Sequence, residues 1–427
     1  MTTTINNEHE KNQGRKVLNV PNKREQNQTC LDSAEREGLR QKGNVPILRF
    51  PEFQGEWEMC RLEDVCSFFS GGTPSSSNKE FYGGNIPFIR SGELHKEETE
   101  LFITQSGYEH SSAKMVETGD ILLAMYGATS GDIAISKING AINQAILCIR
   151  TKHNKKFIES VWNKHVSKIL MKYLQGGQGN LSADIVKRIS FSLPSLAEQE
   201  RISQFMQLID ERIATQNKVI EDLKKLKCAI FEKHYRQAKL HKYKICDLGE
   251  PFSVGSLSKE DLSEEGHECI LYGELFTTYD CVINEVKSHT NKIANMTLSH
   301  KGDLLFPSST TVDAVSLISP SVINIPNVIL GGDMFGIHID KKFNAYYLSY
   351  YINIIARKKL AIYAKGSTII HLHYNDIAKA QLLLPDLCEQ DRIAKCMMVE
   401  DDKIKVEEQL LTTLEKQKQY LLHQMFI

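Results

Sequence analysis

Short apolar runs separated by turn residues fill two stretches of the chain, and each stretch leads into a long helical pattern. In the first stretch, strand-length runs lie at residues 86–89, 121–124 and 145–149, followed by helical spacing over 157–174 and a strand-like run at 189–193. The second stretch repeats this order with runs at 269–271, 303–306 and 328–330, a helix over 345–363 and a run at 381–384. Each stretch is therefore predicted to be a mixed α/β globular domain.

A ten-residue motif occurs twice in the chain. Residues 193–202, LPSLAEQERI, return as residues 384–393, LPDLCEQDRI, about 191 positions later. Upstream of the motif, other residues also recur: Asp64 corresponds to Asp247, the triplet 92–94 corresponds to 273–275, and residues 119–122 correspond to 302–305. Matching anchors at nearly constant offset indicate a duplication, so we expect a pseudo-two-fold order of domain, helix, domain, helix.

Each copy of the motif carries the signals of a helix N-terminus. Ser195 and Asp386 are good N-cap residues, and Glu198 and Glu389 follow them by three positions. This spacing predicts a capping box, in which the cap side chain and the carboxylate each bond the other residue's backbone N–H.

The helices that follow carry one narrow apolar stripe each, which predicts pairing with another helix. Each pattern runs for roughly 40 residues, or about 60 Å of helix. We expect the two copies to pair antiparallel, with the domains at opposite ends of a rod. The predicted pairing residues are Met206, Ile213, Ile220, Leu223, Ile230, Met397, Ile404, Leu411, Leu414 and Leu421.

Three polar residues, Gln216, Lys227 and Lys418, interrupt the stripe, and the two lysines occupy corresponding positions. Polar seam residues can fix the register of a helix pair at a cost in stability. Alternatively, the lysine stems lie along a frayed seam end and carry their ammonium groups to water. We favour this second interpretation.

These patterns define an α+β fold: two similar mixed α/β domains with pseudo-two-fold duplication, joined to two long helices that form an antiparallel coiled coil. The predicted boundaries are a polar, disordered N-terminal arm at 1–44, a first domain at 45–194, a helix at 195–240, a second domain at 241–385 and a helix at 386–427.

Composition narrows the classes of protein. Charged residues make up 25% of the chain and hydrophobic residues 41%, with a formal net charge of -1, so nucleic-acid binding would need local basic patches. The chain opens without a basic segment leading into an apolar core, and no stretch reaches membrane-spanning length, so we expect a cytoplasmic protein without a membrane partner. The cysteines form no Cys-x-x-Cys pair and are expected to be reduced and structural.

Catalytic motifs are absent from the sequence. It holds no phosphate-binding loop, no nucleophile elbow and no His-Glu-x-x-His, so we predict no catalytic residues, no cofactor and no metal site. His371 and His373 could supply two metal ligands, but no partner motif lies nearby, and a loop or strand pair is favoured.

Nucleic-acid contacts are predicted from local chemistry. Residues 224–244 carry eight cations against the single acid Glu232. Elsewhere, glycine- and hydroxyl-rich loops could approach a phosphate backbone, and Asn and Gln side chains could pair with adenine. A solvated helix end and ordinary turn residues are the alternatives. The candidates are Thr73, Ser75, Asn78, Lys79, Arg90, Asn143, Gln144, Gln178, Asn180, Lys224, Lys225, Ser256, Ser308, Ser309, Thr310, Lys365, Ser367 and Thr368.

Several motifs together resemble the specificity subunits of type I restriction-modification systems. They are RFPEFQGEW at 49–57, SGGTP at 70–74, GNIP at 84–87 and the twice-written motif above. The resemblance covers about residues 46–427. It implies two target recognition domains, each reading half of a bipartite site in double-stranded DNA, and a helical ruler that sets the gap. It also implies docking of two methyltransferase subunits and of motor-nuclease subunits, which would bind the methyl donor and ATP.

Two features depart from the family pattern. The polar segment 1–44 has no counterpart in it, and the second domain carries SVGSLS at 253–258 where the first has SGGTP. The two domains are therefore expected to read different sequences. Two other hypotheses remain: a two-headed scaffold that binds proteins, and a recognition subunit of a modification-only or other restriction complex.

Overall fold

A computed structural model of the protein describes residues 43–173 and 180–427. Most of the predicted N-terminal arm, residues 1–42, lies outside the described residues. The chain divides into two compact units, the first reaching Asp210 and including Lys416–Ile427, the second comprising Glu211–Glu415.

The first unit contains a mixed α/β domain, which we call head 1 (residues 43–194). Its helices are α1 Leu62–Val65, α2 Gln105–Glu109, α3 Lys155–Tyr173 and α4 Ala183–Lys187. Its strands are β1 Glu58–Arg61, β2 Cys66–Ser70, β3 Tyr82–Ile89, β4 Phe102–Ile103, β5 Lys114–Val116, β6 Ile121–Ala124, β7 Ile133–Ile135, β8 Gly140–Ile142, β9 Ile146–Thr151 and β10 Ser190–Leu193.

Head 1 is built on two four-stranded sheets, ordered β2-β9-β6-β7 and β4-β3-β8-β5. All four residues of β6 are buried, as expected for a strand covered on both faces, which explains its unbroken apolar run. The opening strand β1 pairs antiparallel with the closing strand β10.

The second unit contains head 2 (residues 241–385), preceded by the long helix α5 Leu196–Gln237. Its helices are α6 Glu274–Thr277, α7 Ala314–Leu317, α8 Ala345–Tyr351, α9 Arg357–Ala361 and α10 Tyr374–Ile377. Its strands are β11 His241–Lys244, β12 Gly249–Ser253, β13 Leu262–Ser263, β14 His267–Leu271, β15 Val282–Ile283, β16 Ser288–Thr290, β17 Thr297–Leu298, β18 Asp303–Pro307, β19 Ser309–Thr310, β20 Ser321–Ile323, β21 Ile329–Gly331, β22 Met334–Ile339, β23 Ile370–His371 and β24 Gln381–Leu384.

Head 2 repeats the plan of head 1. Its sheets run β12-β22-β18-β20-β15 and β13-β16-β14-β21-β17, and β11 pairs antiparallel with β24 as β1 does with β10. The two-stranded sheet β19-β23 is an addition. Two similar mixed α/β domains, as predicted, are confirmed.

The helix predicted over 345–363 is interrupted by a π-helical turn at Ile352–Ala356. The Asn353 side-chain amide donates to the Ser349 carbonyl at 3.0 Å and to the Pro320 carbonyl at 2.8 Å. The Ser349 carbonyl is the group that the backbone N–H of residue 353 would bond in a regular α-helix, so this contact favours a local change of pitch.

The second long helix is α11, Leu387–Met425. Within the second unit it runs antiparallel to α5, because Gln216 donates to the Glu407 carbonyl while Lys227, further along α5, pairs with the earlier residue Asp401. The predicted antiparallel coiled coil is thus confirmed. Ile220, Ile404 and Leu414 are buried in it, and Ile213, Leu223, Ile230 and Leu411 are half-buried.

The seam lysines end in ion pairs and not in water. Lys227 Nζ lies 2.5 Å from Asp401 Oδ1, and in the first unit Lys418 Nζ lies 2.7 Å from Asp210 Oδ1. Burial lowers the pKa of Lys227, but the Asp401 carboxylate outweighs burial and raises it. The favoured interpretation of lysines at a frayed seam end is therefore wrong, since each lysine pairs with a carboxylate on the facing helix.

Both long helices contribute to the head cores. In the first unit, Met206 of α5 and Leu421, Leu422 and Phe426 near the end of α11 pack with Phe157 of head 1. In the second unit, Phe231 of α5 and Ile393 and Met397 of α11 pack with Tyr347 of head 2. Three of the predicted pairing residues, Met206, Met397 and Leu421, thus belong to head cores.

The twice-written motif fastens each head to its helix. The buried Gln199 accepts from Asn154 N at 3.2 Å and donates to the Pro194 carbonyl at 2.8 Å. Gln390 does the same with Asn344 N, at 3.0 Å, and Pro385 O, at 2.8 Å. Asn154 and Asn344 precede α3 and α8, so one amide side chain ties a head helix to the start of a long helix.

The predicted capping boxes form only in part. Ser195 Oγ and Asp386 Oδ1 accept from the backbone N–H of Glu198 and Glu389, at 3.3 and 2.9 Å. The carboxylates turn to other partners: Glu198 binds Arg49 and Trp57, and Glu389 binds Arg392. Stronger charged donors nearby displace the reciprocal backbone bond.

Replacement of Gln390 by alanine is expected to lower the free energy of unfolding of head 2 by about 2 kcal/mol, because it leaves a buried carbonyl and a half-buried N–H without their side-chain partner. Urea unfolding followed by circular dichroism measures this change. Gln409→Ala, at an exposed position of the same helix, is the control and should stay within about 0.5 kcal/mol. Equal effects of the two substitutions would contradict the fastening role.

Within residues 43–173 and 180–427, no helix combines the length and hydropathy needed to cross a membrane. The cysteines in this part of the chain are free, and burial raises the pKa of the Cys148 thiol to about 12.

Candidate nucleic-acid interface

The loop between β2 and β3 gathers several predicted contact residues of head 1. The Thr73 hydroxyl bonds the side chain of Gln144, and the Gly72 N–H donates to the Ile142 carbonyl at 3.1 Å. Ser75 bonds Ser77 at 2.7 Å. Thr73, Ser75 and Gln144 are exposed, so the structure brings together a hydroxyl-rich loop and an amide that lie 71 positions apart.

Other predicted residues of head 1 have structural partners. Asn78 caps the short helical turn Lys79–Phe81, and Asn143 accepts from Ala145 N at 3.2 Å. The Arg90 guanidinium bonds Glu93 at 3.1 Å and Glu100 at 3.0 Å. Burial raises the pKa of Glu93, but hydrogen bonds from Arg90 and its surroundings outweigh burial and lower it to about 2. Lys79 is exposed beside this loop.

A second surface of head 1 follows β6. The Leu181 N–H donates to the Met125 carbonyl at 2.9 Å, which places the exposed Asn180 beside the segment that starts at Tyr126. Tyr126 is 37% exposed and precedes Gly127, whose φ is +78°. Tyr126 is not among the contacts predicted from the sequence, although an exposed aromatic residue next to a loop glycine is a pattern that can indicate one. Gln178 lies outside the described residues.

Head 2 repeats this junction. The Leu372 N–H donates to the Ser308 carbonyl at 2.8 Å, so the segment after β23 meets the segment after β18. Two predicted contacts need correction here: Ser308 and Ser309 are buried, at 3% and 7% exposure, because β19 pairs with β23. Their burial removes them from the candidate surface. Thr310 is half-buried, and its hydroxyl accepts from Val312 N at 3.2 Å.

The loop between Lys365 and His371 projects from head 2. The two residues exchange backbone hydrogen bonds of 2.8 and 2.7 Å, and Ser367 and Thr368 between them are exposed. Gly366 has a φ of +121°, and a Cβ there would lie 2.0 Å from the Ile369 carbonyl, so the turn needs glycine. Lys365 Nζ pairs with Asp376.

The His371 and His373 rings stack beside this loop with centroids 6.1 Å apart. His371 Nδ1 faces Asp333 Oδ2 at 3.9 Å. His371 ends β23 and His373 precedes α10, so the two histidines lie at a strand end and in the short connection that follows it.

Ser256 lies on a cleft of about 920 Å³ in head 2. The cleft lies between the segment after β12 and helix α6, and its lining includes Lys259, Tyr272 and Asp333. The Ser256 carbonyl accepts from Lys292 Nζ at 2.8 Å.

The basic stretch on α5 is less positive than its sequence window suggests. Lys224 pairs with Glu408 at 2.7 Å and Lys225 with Glu221 at 2.5 Å. Arg236 pairs with Glu232 at 2.6 Å. Acids from outside the window, including one on the facing helix, reduce the local excess of positive charge that phosphate binding requires.

The two heads share a similar topology, and the paired long helices contribute residues to both cores. The chain is therefore a duplicated two-domain protein. A family model described as the type I restriction modification DNA specificity domain matches residues 54–225 and again 239–416. The chain belongs to this family. Two such domains in one chain fit a bipartite recognition role and favour DNA reading over the protein-scaffold hypothesis.

Proteins similar to this chain in sequence or in structure are described as specificity subunits or S subunits. The MjaVIII specificity subunit of Methanocaldococcus jannaschii is 22% identical over 409 residues, which cover 88% of this chain and 92% of that protein. The MjaIX specificity subunit of the same organism is 26% identical over 187 residues, covering 42% of this chain and less than half, 43%, of that protein. The crystal structure of the S subunit from M. genitalium shares the fold with a TM-score of 0.53 at 15% identity, covering 90% of this chain and 99% of that one.

Proposed function

We propose that this chain is the DNA-recognition subunit of a type I restriction-modification complex, with each head reading one half of a bipartite site in double-stranded DNA. The duplication of the specificity domain on paired helices is the observation that carries the proposal. The long helices would set the length of the unspecified gap, because half-sites about one helical turn apart, roughly 34 Å, face the same side of the duplex.

We infer two reading elements in each head. In head 1 they are the β2–β3 loop with Gln144 and the surface at Tyr126 and Asn180. In head 2 they are the loop at Ser367 and Thr368 and the cleft at Ser256. Exposed amides and hydroxyls match the donors and acceptors on base edges in the major groove, and glycine permits close approach to the backbone.

Catalysis is assigned to partner subunits. We propose that two methyltransferase subunits dock on this chain and supply the methyl donor site, and that motor-nuclease subunits bind ATP and cleave. On this proposal the chain itself is not an enzyme and acts in the cytoplasm, where the complex meets DNA. Cells that hold the methyltransferase but no motor-nuclease would show modification without cleavage.

Methylation mapping of cells that express this chain with its methyltransferase partner tests the proposal. We expect adenine methylation at two short defined blocks with a fixed gap, and no such methylation when only this chain is omitted. If methylation stays absent while the complex forms, recognition of DNA by this chain is contradicted.

A pair of head-specific variants sharpens the test. Combined Thr73→Val and Gln144→Ala should relax one block by about tenfold, the loss of one good base contact, and leave the other block and the gap unchanged. Combined Ser367→Ala and Thr368→Val should affect the opposite block. An altered gap, or changes in both blocks from one variant, would contradict the assignment of one head to each half-site.

A further inference from the structure

Three potential metal-ligand side chains converge at one end of the central strands of head 2. His300 precedes β18, Asp303 is the first residue of β18, and His338 lies opposite Asp303 on the paired strand β22. Their ligand atoms all lie within 4.8 Å of one another. Asp303 is buried, whereas the His300 side chain is 75% exposed.

The side-chain contacts of this group converge on His338 Nδ1, which can carry only one hydrogen for its two neighbours. His338 Nδ1 lies 2.7 Å from Asp303 Oδ1 and 3.4 Å from His300 Nδ1. Asp303 Oδ2 accepts the His300 backbone N–H at 2.7 Å, which orients the carboxylate. Neutral His338 can place one hydrogen at Nδ1, and a single cation in its place would satisfy all three atoms.

The three equivalent positions of head 1 hold no histidine. There they hold Glu117, Asp120 and Arg150, and Asp120 likewise accepts a backbone N–H, from Glu117, at 3.0 Å. Arg150 bonds Asp120 through two nitrogens, the shorter contact being 2.7 Å. In head 1 the Arg150 guanidinium is therefore the cation that neutralises the Asp120 carboxylate and donates hydrogen bonds to it.

Head 2 keeps the carboxylate and exchanges the guanidinium for two imidazoles. The turn that brings the His300 backbone N–H to Asp303 also forms in head 1 with Glu117, so it does not require a histidine at position 300. The ring of His338 stacks on Phe252 with centroids 4.2 Å apart, as the Arg150 guanidinium lies 5.1 Å from the Phe69 ring centroid in head 1. This stacking holds the imidazole in place, which is a common role of residues around metal ligands.

We propose that His300, Asp303 and His338 bind a divalent transition-metal ion, of which Zn²⁺ is the best fit. Ligands at about 2.0 Å in tetrahedral geometry are about 3.3 Å apart. The two Nδ1 atoms are 3.4 Å apart, whereas His338 Nδ1 lies 2.7 Å from Asp303 Oδ1 and would move away from it when the ion replaces the hydrogen between them. The exposed His300 can adjust its position, and water would take the fourth place. The mixed nitrogen and oxygen donors exclude a preference for Ca²⁺ or Mg²⁺.

The site lies away from the proposed reading loops. Asp303 begins β18 and Pro307 ends it, next to Ser308 and the loop that follows. The metal would bridge a turn to the β18–β22 pair and stabilise head 2 without contacting the reading elements. The inference therefore stands or falls independently of the proposed function.

Zn²⁺ binding to the purified full-length chain tests the proposal. Competition with a chromophoric chelator should show one Zn²⁺ equivalent that is lost in His338→Arg, which installs the arrangement of head 1 and is expected to preserve the fold. His300→Ala should weaken this equivalent by more than about tenfold, the loss that even a supporting residue of a metal site can cause. His267→Ala, at an exposed position of the same head, is the control and should bind as the unaltered chain does.

Two further readouts separate this site from the cysteines of the chain. Co²⁺ in the site should give a tetrahedral spectrum without thiolate charge transfer, and the spectrum should vanish in His338→Arg. Zn²⁺ should also slow amide hydrogen exchange in β18 and β22 in the unaltered chain but not in that variant. Equal binding by the unaltered chain and both variants, or no binding by any of them, would overturn the proposal.

Discussion

Substitution of Glu198 by glutamine is expected to lower the free energy of unfolding of head 1 by about 3 kcal/mol. The Glu198 carboxylate is 2% exposed and accepts two hydrogen bonds of 2.7 Å from Arg49 and one of 3.3 Å from Trp57 Nε1. Glutamine keeps the shape but removes the charge, so the half-buried guanidinium of Arg49 loses its buried counterion. A mere helix cap at this position would cost only about 1 kcal/mol.

Tryptophan fluorescence in a urea titration measures this effect selectively. The chain has two tryptophans, Trp57 and Trp162, and both belong to the core of head 1. Glu389→Gln is the matched control at the duplicated position, where the carboxylate is more exposed and pairs with Arg392 within one helical turn. It should change the circular-dichroism transition by less than about 1 kcal/mol. Equal losses from the two substitutions would show that Glu198 acts only as a helix cap.

Leu422→Ala is expected to destabilise the same head by about 3 kcal/mol, although residue 422 lies more than two hundred positions from head 1 in the sequence. Leu422 is 2% exposed, and it shares a core with Trp57, Trp162 and Phe157. Truncation leaves a cavity that this core can fill only in part, so the lost transfer energy and the cavity both contribute.

Tyr420→Ala provides the control for this prediction. Tyr420 lies two residues away on α11 and is 60% exposed, so its loss should change stability by no more than about 0.5 kcal/mol. Urea titrations with tryptophan fluorescence should show a lower midpoint for Leu422→Ala only. An unchanged midpoint would mean that the end of α11 is not part of the folded core of head 1 in solution.

The sequence predicts the α+β duplication and the coiled coil because both depend on local and periodic signals. Strands such as β6 and β18 are covered on both faces and therefore appear as unbroken apolar runs. The helix stripes recur with a spacing that predicts a partner helix. These features need no knowledge of which residues meet in three dimensions.

Features that depend on distant partners were harder to predict. Gln199 and Gln390 belonged to a recognised helix start, but their bonds to Asn154 and Asn344 join segments about 45 positions apart. Ser308 and Ser309 have the sequence pattern of exposed loop residues, but the pairing of β19 with the distant strand β23 buries them. The positive charge of residues 224–244 is smaller than the sequence indicates, because Glu408, which pairs with Lys224, lies far away in the sequence on the facing helix.

The placement of Leu422 and Phe426 in the core of head 1 has a consequence for biosynthesis. Head 1 is translated early, yet the side chains that complete its core emerge only after all of head 2. During that interval its apolar surface, including Phe157, lacks part of its cover, and the missing contacts are non-local ones that form slowly. On the ribosome, head 2 can therefore finish its core from neighbouring segments of the chain before head 1 does.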